Sequence, residues 1–271
     1  MQEWTPPPPA PRSRRDRRLA LAGVLLVLAL AGFGAAYRIA AVGSREAAAV
    51  RPTPPTVAPP VVAVLSLSQA AAQSLSRVVT IESVARDREE LGTGWLIDDR
   101  GDFVTNWHVV EGNLGIRIRD RADGTHVGMV MGSDREHDIA VIRSVDGFAG
   151  VPLPVETQAL RIPQEVVVLA SSRATQHTDQ TEGTLARLHQ DVPVRGTDVD
   201  PGFGDLPTVY TDMMALRARI YAGNSGGPVL DDRGRVVGIV TLASRASAQA
   251  FAIPLDRVLG EIRAFAGRPG G

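Results

Sequence analysis

Cysteine is absent from the 271 residues. That excludes disulfides, thiolate-ligated zinc and thiol catalysis, and any part of the chain outside the reducing cytoplasm must rest on its core alone. Lysine is absent too: all 29 basic residues are arginine. A bias running through the whole chain reflects a GC-rich coding background more simply than a need for fork-shaped donors. Set against 30 acidic residues, the arginines leave a net charge of −1, so there is no electrostatic case for nucleic acid as a partner. What the chain does have is apolar content, 44% of its residues, which at this length allows one or two domains and a sizeable core.

Residues 1–18 combine the proline run at 6–9 with Arg12, Arg14, Arg15, Arg17 and Arg18. Such a composition cannot bury a core, and a disordered, basic, cytoplasmic tail is expected. Residues 19–37 carry no charge and would form a helix about 28 Å long, close to the roughly 30 Å hydrocarbon thickness. We expect a transmembrane signal anchor there, the arginine cluster keeping the N-terminus in the cytoplasm and everything downstream outside it. Cleavage near Ala29-Leu30-Ala31 is the competing reading, but the apolar run continues past that triplet, which favours an uncleaved anchor. Residues 38–64, with Pro52, Pro54, Pro55, Pro59 and Pro60, read as a Pro/Ala-rich linker.

Residues 65–268 read as one all-β domain. A short leading helix with a possible Ser cap is expected over 66–76. Short β-like segments follow at 78–81, 95–97, 103–105, 114–118, 127–131 and 139–142, separated by turns such as Asp98-Asp99-Arg100-Gly101. Their spacing suggests a small antiparallel barrel at about 78–146. After a less regular join at 147–154 the pattern repeats at 166–170, 183–188, 209–211, 229–230, 236–241 and 250–253, a second barrel at about 155–253. Within it, the polar stretch 190–207 reads as a surface loop. Pro254 then opens an amphipathic helix with Leu255, Val258, Leu259, Ile262 and Phe265 on one face.

The turn Gly223-Asn224-Ser225-Gly226-Gly227-Pro228 places one hydroxyl between two apolar runs. Its glycines permit backbone angles and approaches that a Cβ would block, so that successive N–H groups can converge beside Ser225 as an oxyanion hole requires. An ordinary glycine-rich hairpin is the plain alternative. A serine nucleophile needs a base and a carboxylate to orient it. The candidates are His108, just past a strand end in Val104-Thr105-Asn106-Trp107-His108-Val109-Val110, and Asp138, at the mouth of the strand that begins at Ile139. His137 competes with Asp138, and strand alternation lets only one of the two point into a cleft. His126, His177 and His189 show no metal-ligand spacing, so no metal is expected. Met213-Met214 reads as packing rather than a cofactor contact.

With Gly92-Thr93-Gly94, Thr105-Asn106-Trp107-His108-Val109, Asp138-Ile139-Ala140-Val141, the 223–228 turn, Val237-Gly238-Ile239-Val240 and Phe251-Ala252-Ile253-Pro254, the chain from about 65 to 266 resembles the chymotrypsin-like (trypsin-fold) serine peptidases. Among them it is most similar to the bacterial HtrA/DegP-type and membrane-anchored trypsin-like peptidases. The resemblance implies two six-stranded antiparallel barrels with the site in the cleft between them, and a serine endopeptidase acting on protein or peptide substrates without a cofactor. It implies His108 as general base, Asp138 as its orienter, Ser225 as nucleophile, and the N–H groups of Gly223 and Ser225 as oxyanion hole. Asn224 stands where zymogen-activated relatives carry Asp, so activation by a newly cut N-terminus is not expected; the surrounding loops are expected to set the oxyanion hole instead.

Two departures limit the resemblance. No PDZ domain is expected after 267, and the 216–222 segment differs from the usual HtrA lead-in. Arg219, Ile220, Tyr221 and Ala222, with Thr241, Leu242 and Ala243, are the expected pocket lining, for a small or medium apolar P1 residue; Arg219 projecting inward would favour an acidic one. The expected role is envelope protein quality control or regulated proteolysis at the outer face of a bacterial cytoplasmic membrane, with a homo-oligomer left open. A catalytically silent binding or chaperone-like module is the alternative. An esterase is disfavoured because Ser225 is followed by a strand pattern rather than the helix of a Gly-x-Ser-x-Gly elbow.

Overall fold

Alternation of apolar and polar residues along short segments, punctuated by glycine and aspartate turns, organises this chain into strands. The structure, a computed structural model, describes residues 66–172, 177–194, 199–200, 207–244 and 246–269. The expected tail, anchor and most of the linker lie outside the described residues. Among the described residues no helix is long and apolar enough to cross a membrane.

The first element is helix α1 (Leu67–Ser74). Ser66 caps it through a reciprocal box, its hydroxyl accepting from Gln69 N and its own N–H donating to Gln69 Oε1, which satisfies two N-terminal donors. A 3₁₀ turn leads into β1 (Val78–Ala85), followed by β2 (Glu89–Leu96), β3 (Asp102–Thr105), a single helical turn α2 (Trp107–Val110), β4 (Asn113–Arg119), β5 (Thr125–Asp134) and β6 (Ile139–Ser144). These six strands form a closed antiparallel barrel in the order β1-β2-β3-β6-β5-β4, as the spacing predicts.

The second sheet contains β7 (Gln164–Ser171), β8 (Thr178–Pro193), β9 (Val199–Asp200), β10 (Val209–Arg217), β11 (Pro228–Leu230), β12 (Val236–Ser244) and β13 (Gln249–Pro254). Its order is β11-β7-β8-β10-β13-β12-β9, and an additional β11–β12 pairing returns the sheet to its first strand. Six strands therefore make a ring of hydrogen-bonded neighbours, and the seventh, β9, lies on the edge of β12 at Ala243 and Ser244. Two features differ from the sequence reading. The 190–207 stretch is not simply a loop, since β8 runs through it to Pro193 and β9 arises within it; two residues are too few for any periodicity to announce. Strand β10 continues six residues beyond Thr211, because Met213, Met214, Ala215 and Leu216 are buried on both faces and so do not alternate in polarity.

Side-chain alternation sorts the core into three clusters. On β6, Ala140 and Ile142 point into the first barrel with Val79, Ile81, Phe103 and Ile118. Ile139 and Val141 point the other way, into a cluster shared with Trp95 and Val104 of the first barrel and Leu169, Ile239, Leu242 and Ile253 of the second sheet. On β7 the same split sends Val166 and Val168 into the interior of the second sheet with Met214, Leu216 and Ala252. Helix α3 (Leu255–Ala266) closes the shared cluster with Val258, Leu259, Ile262 and Phe265. Its C-terminal end is fixed to the first barrel. Arg143 holds the buried Asp102 through Nε and Nη2 at 2.6 and 2.7 Å and donates also to the carbonyl of Ala266 at 2.8 Å.

Candidate active site

Antiparallel pairing of β3 with β6, with Thr105 opposite Ala140, brings the C-terminal end of one strand beside the N-terminal end of the other. Residues just after 105 and just before 139 therefore emerge together. This is how His108, on the α2 turn, meets Asp138. The imidazole Nδ1 lies 3.0 Å from Asp138 Oδ1 and 2.9 Å from Oδ2, and the main-chain N–H of His108 donates to Oδ1 at 3.0 Å. Both side chains are buried. Asp138 sits at φ +52°, a left-handed conformation that aspartate tolerates better than most residues. His137 points away, bonded through Nδ1 to Asp134 at 2.6 Å with Glu261 of α3 at 3.3 Å; of the two neighbours it is Asp138 that turns inward.

Burial acts to lower the His108 pKa, but the charge of Asp138 and its hydrogen bond outweigh it, helped by the more distant Glu90 and Glu111, so the imidazolium is favoured and the pKa lies above 6.5. With Nδ1 committed to Asp138, Nε2 is the nitrogen left to exchange a proton.

Ser225 approaches from the second sheet, on the turn before β11. That turn is docked onto the first barrel by its main chain. The Thr93 N–H donates to the Ser225 carbonyl at 2.8 Å, and the Thr93 hydroxyl donates to the Gly223 carbonyl at 2.8 Å. Asn224 is buried and locks the turn from within. Its Nδ2 donates to the Ser171 carbonyl at 2.7 Å, and its Oδ1 accepts the Tyr221 N–H at 2.8 Å. Gly223 has φ +97° and Gly226 φ +87°. Among the described residues the N–H groups of Gly223 and Ser225 donate to nothing, whereas those of Asn224, Gly226 and Gly227 are all bonded. The Ser225 hydroxyl donates to the Thr241 carbonyl at 3.5 Å.

The expected pocket residues divide into two groups. Thr241 is buried, its Oγ1 accepting from Asn106 Nδ2 at 2.9 Å. Leu242 is buried in the shared core, so it offers its backbone rather than its side chain. Ala243 is half-buried and paired with Asp200. Ile220 packs partly against the core of the second sheet, while Arg219, Tyr221 and Ala222 are exposed. The sequence gives no hint of two further contributors. Asn106 Nδ2 donates to the Asp138 carbonyl at 2.8 Å as well as to Thr241, linking the two sheets behind the site. Tyr210 of β10 donates its hydroxyl to Asp138 Oδ2 at 3.0 Å. Asn106 lies two residues before His108 in the same motif, and Tyr210 lies in a segment whose pattern marks only a strand.

Residues 92–239 match the trypsin-like peptidase domain, and the chain belongs to that family. Its relatives include the serine protease Rv3671c of Mycobacterium tuberculosis, 30% identical over 189 residues that make 68% of this chain and 45% of that protein. Protease Do-like 1, chloroplastic, of Arabidopsis thaliana is 31% identical over 176 residues, 62% of this chain and 38% of that one. The crystal structure of the Rv3671c protease in its active form superposes with a TM-score of 0.64 at 26% identity, covering 81% of this chain and 96% of that one. The HtrA-type protease AlgW shares the fold, with a TM-score of 0.62 at 21% identity over 75% of this chain and 64% of that one. The chain spans about two fifths or less of the length of the first curated relatives it matches.

Proposed function

We propose that this protein is a serine endopeptidase that hydrolyses peptide bonds through His108, Asp138 and Ser225. The observation that carries the reading is the buried His108–Asp138 pair at 2.9 Å at the end of one barrel, with the Ser225 turn of the second sheet docked onto the same barrel by Thr93. In this reading Ser225 Oγ rotates from the Thr241 carbonyl toward His108 Nε2, gives up its proton there and attacks the substrate carbonyl. Asp138 fixes the tautomer and stabilises the imidazolium, which then protonates the leaving amine. The N–H groups of Gly223 and Ser225 receive the oxyanion, a contribution of about 3 kcal/mol per donor to the barrier in comparable sites. No metal or cofactor takes part in these steps.

The membrane anchor at 19–37 and a place for the catalytic domain on the outer side of the bacterial cytoplasmic membrane belong to the same proposal, supported by the charge-free run and the arginine cluster before it. So does a role in envelope quality control or regulated proteolysis, supported by the relatives named Do-like and HTRA1 serine proteases. A silent module draws its support from the Ser225–Thr241 bond, in which the hydroxyl proton is given to a carbonyl rather than to a base.

Labelling of the full chain with a fluorophosphonate decides between the two, with Ser225→Ala as control. Label on the wild type alone and cleavage of an unfolded protein are expected; an unlabelled wild type would sink the enzyme. Carbonate extraction of membranes tests the anchor, which fails if the chain is released.

A further inference from the structure

The carboxylate of Asp138 is fully buried, and its donors are few. Oδ1 accepts the His108 N–H and Nδ1, and Oδ2 accepts Nδ1 and the Tyr210 hydroxyl. Among the described residues Tyr210 is thus the one donor to this carboxylate that is not part of His108, and it comes from the other sheet. A buried carboxylate holds one orientation only when each oxygen has a partner. Without Tyr210, the plane of Asp138 would be set by the group it is meant to orient.

The backbone of β10 is built to aim that hydroxyl. Along the strand, Leu216 and Met214 point into the core of the second sheet, and Ala215 and Met213 into the core shared with the first barrel. Strict alternation would place residue 210 on the same side as 214 and 216. Tyr210 instead joins Met213 and Ala215 in the shared core. The reversal occurs at a bulge, where the β10–β8 register shifts between Tyr210 and Met213, since one extra residue turns every following side chain to the opposite face.

The bulge is fastened from outside. Asp212 at φ +61° and His189 at φ +57° face each other across it, joined through their side chains. Arg257 of α3 binds the Asp212 carboxylate through Nε at 3.1 Å and the Thr211 carbonyl through Nη1 at 2.7 Å. Two left-handed non-glycine residues persist only where the surroundings hold them.

We infer that Tyr210 is a positioning residue of the hydrolytic site, holding the Asp138 carboxylate for His108 from the opposite sheet, and that the Asp212 bulge clamped by Arg257 is what aims it. The inference rests on the triad reading above. Burial first, then the charge of Asp138, pushes the Tyr210 phenol far above its ordinary range, so it remains a donor at every working pH. The groups acting on His108 are Asp138, Glu90 and Glu111, and of these only Asp138 is touched by Tyr210.

The test is the pH profile of fluorophosphonate labelling and of protein hydrolysis for full-length wild type, Tyr210→Phe and Arg257→Gln. Removing the phenol oxygen leaves Asp138 less satisfied and its charge more available to the imidazolium. The acid limb should move up by about half to one pH unit, and kcat should fall roughly tenfold with KM nearly unchanged. Arg257→Gln, which touches Asp212 and the Thr211 carbonyl rather than Asp138, should shift the limb the same way by less. A Tyr210→Phe enzyme with wild-type limb and kcat overturns the positioning role. If Tyr210→Phe does not fold, Arg257→Gln with a wild-type limb overturns the proposal in its place. A wild type that takes no label defeats the triad reading itself, and Tyr210's role with it.

Discussion

The N–H of Thr93 and the carbonyl of Ser225 are joined at 2.8 Å, so the Ser225 turn is tied by its main chain to strand β2 of the other barrel. The Thr93 side chain repeats the link, donating to the Gly223 carbonyl and accepting the Ser171 N–H, each at 2.8 Å. One residue thereby sets the direction of the Gly223 peptide. Thr93→Val keeps the shape and the main-chain bond but removes both hydroxyl contacts. Stability should fall by about 1–3 kcal/mol from the orphaned Ser171 N–H, and labelling of Ser225 should slow more than tenfold. Thermal denaturation and labelling rates measure the two effects; an unchanged rate would mean that the Gly223 peptide is held by other contacts.

Gly226 shows how close the two sheets come. A Cβ there would lie 2.2 Å from the Thr93 carbonyl oxygen and 2.4 Å from Thr105 Oγ1, and φ is +87°. Neither neighbour can yield, since Thr105 itself donates to that carbonyl at 2.7 Å. Gly226→Ala should displace the whole turn, costing more than about 2 kcal/mol and abolishing labelling. Retention of wild-type labelling would show that the turn tolerates a shift of this size.

Asn224 is legible in the sequence as a departure from zymogen-type relatives, and the structure supplies its physical role as a donor to the Ser171 carbonyl. Asn224→Asp replaces that donor with a buried anion facing a carbonyl oxygen. A drop of about 2–3 kcal/mol at neutral pH is expected, partly recovered in acid where the carboxyl protonates and can donate again. Urea melts at two pH values read it out, and a variant equally stable at both would contradict the assignment.

The candidate triad is legible because each member sits in a local motif: Thr105-Asn106 before His108, Ile139-Ala140-Val141 after Asp138, glycines around Ser225. All twelve expected strand segments also fall within or largely overlap observed strands, since alternation and turn chemistry are local properties. Tyr210 and β9 are not legible for the opposite reason. Tyr210 reaches Asp138 only because a bulge reverses the face of β10, and nothing in Val209-Tyr210-Thr211-Asp212 distinguishes a bulge from regular strand. The pairing of Val199 and Asp200 with Ala243 and Ser244 is a backbone interaction and imposes no side-chain pattern.

Asp102 and Arg143 carry the attachment of α3 to the first barrel. The carboxylate is wholly enclosed, and burial raises its pKa, opposed by Arg143 and reinforced by Asp98 nearby. Arg143→Met would leave that carboxylate without its bidentate partner and free the Ala266 and Arg268 carbonyls that Arg143 also binds. Loss of one partner of a buried pair costs about 3–5 kcal/mol. The double variant Asp102→Leu/Arg143→Met should recover much of it, and calorimetry of the three proteins tests the prediction; a double variant as weak as the single one would show that the carbonyl contacts dominate.

The direction of the His108 shift sets the pH behaviour. Its pKa is raised above 6.5, so the free base that must accept the Ser225 proton is a minority at pH 6.5 and gains as pH rises. The labelling rate should climb through an acid limb lying above 6.5, with full activity on the alkaline side. The stability contribution runs the other way. A group whose folded pKa is raised stabilises most below its unfolded value, and that contribution is lost as pH rises through the folded value. The imidazolium–Asp138 attraction therefore supports the fold most strongly in the pH range where the proposed activity is lowest. Asp138→Asn should move the limb down toward or below 6.5, because burial then acts on His108 without the opposing charge, and the rate should fall by about four orders of magnitude as the tautomer is reversed. Measuring labelling of both proteins from pH 5 to 9 checks the sign, and a limb for the wild type below that of Asp138→Asn would refute it.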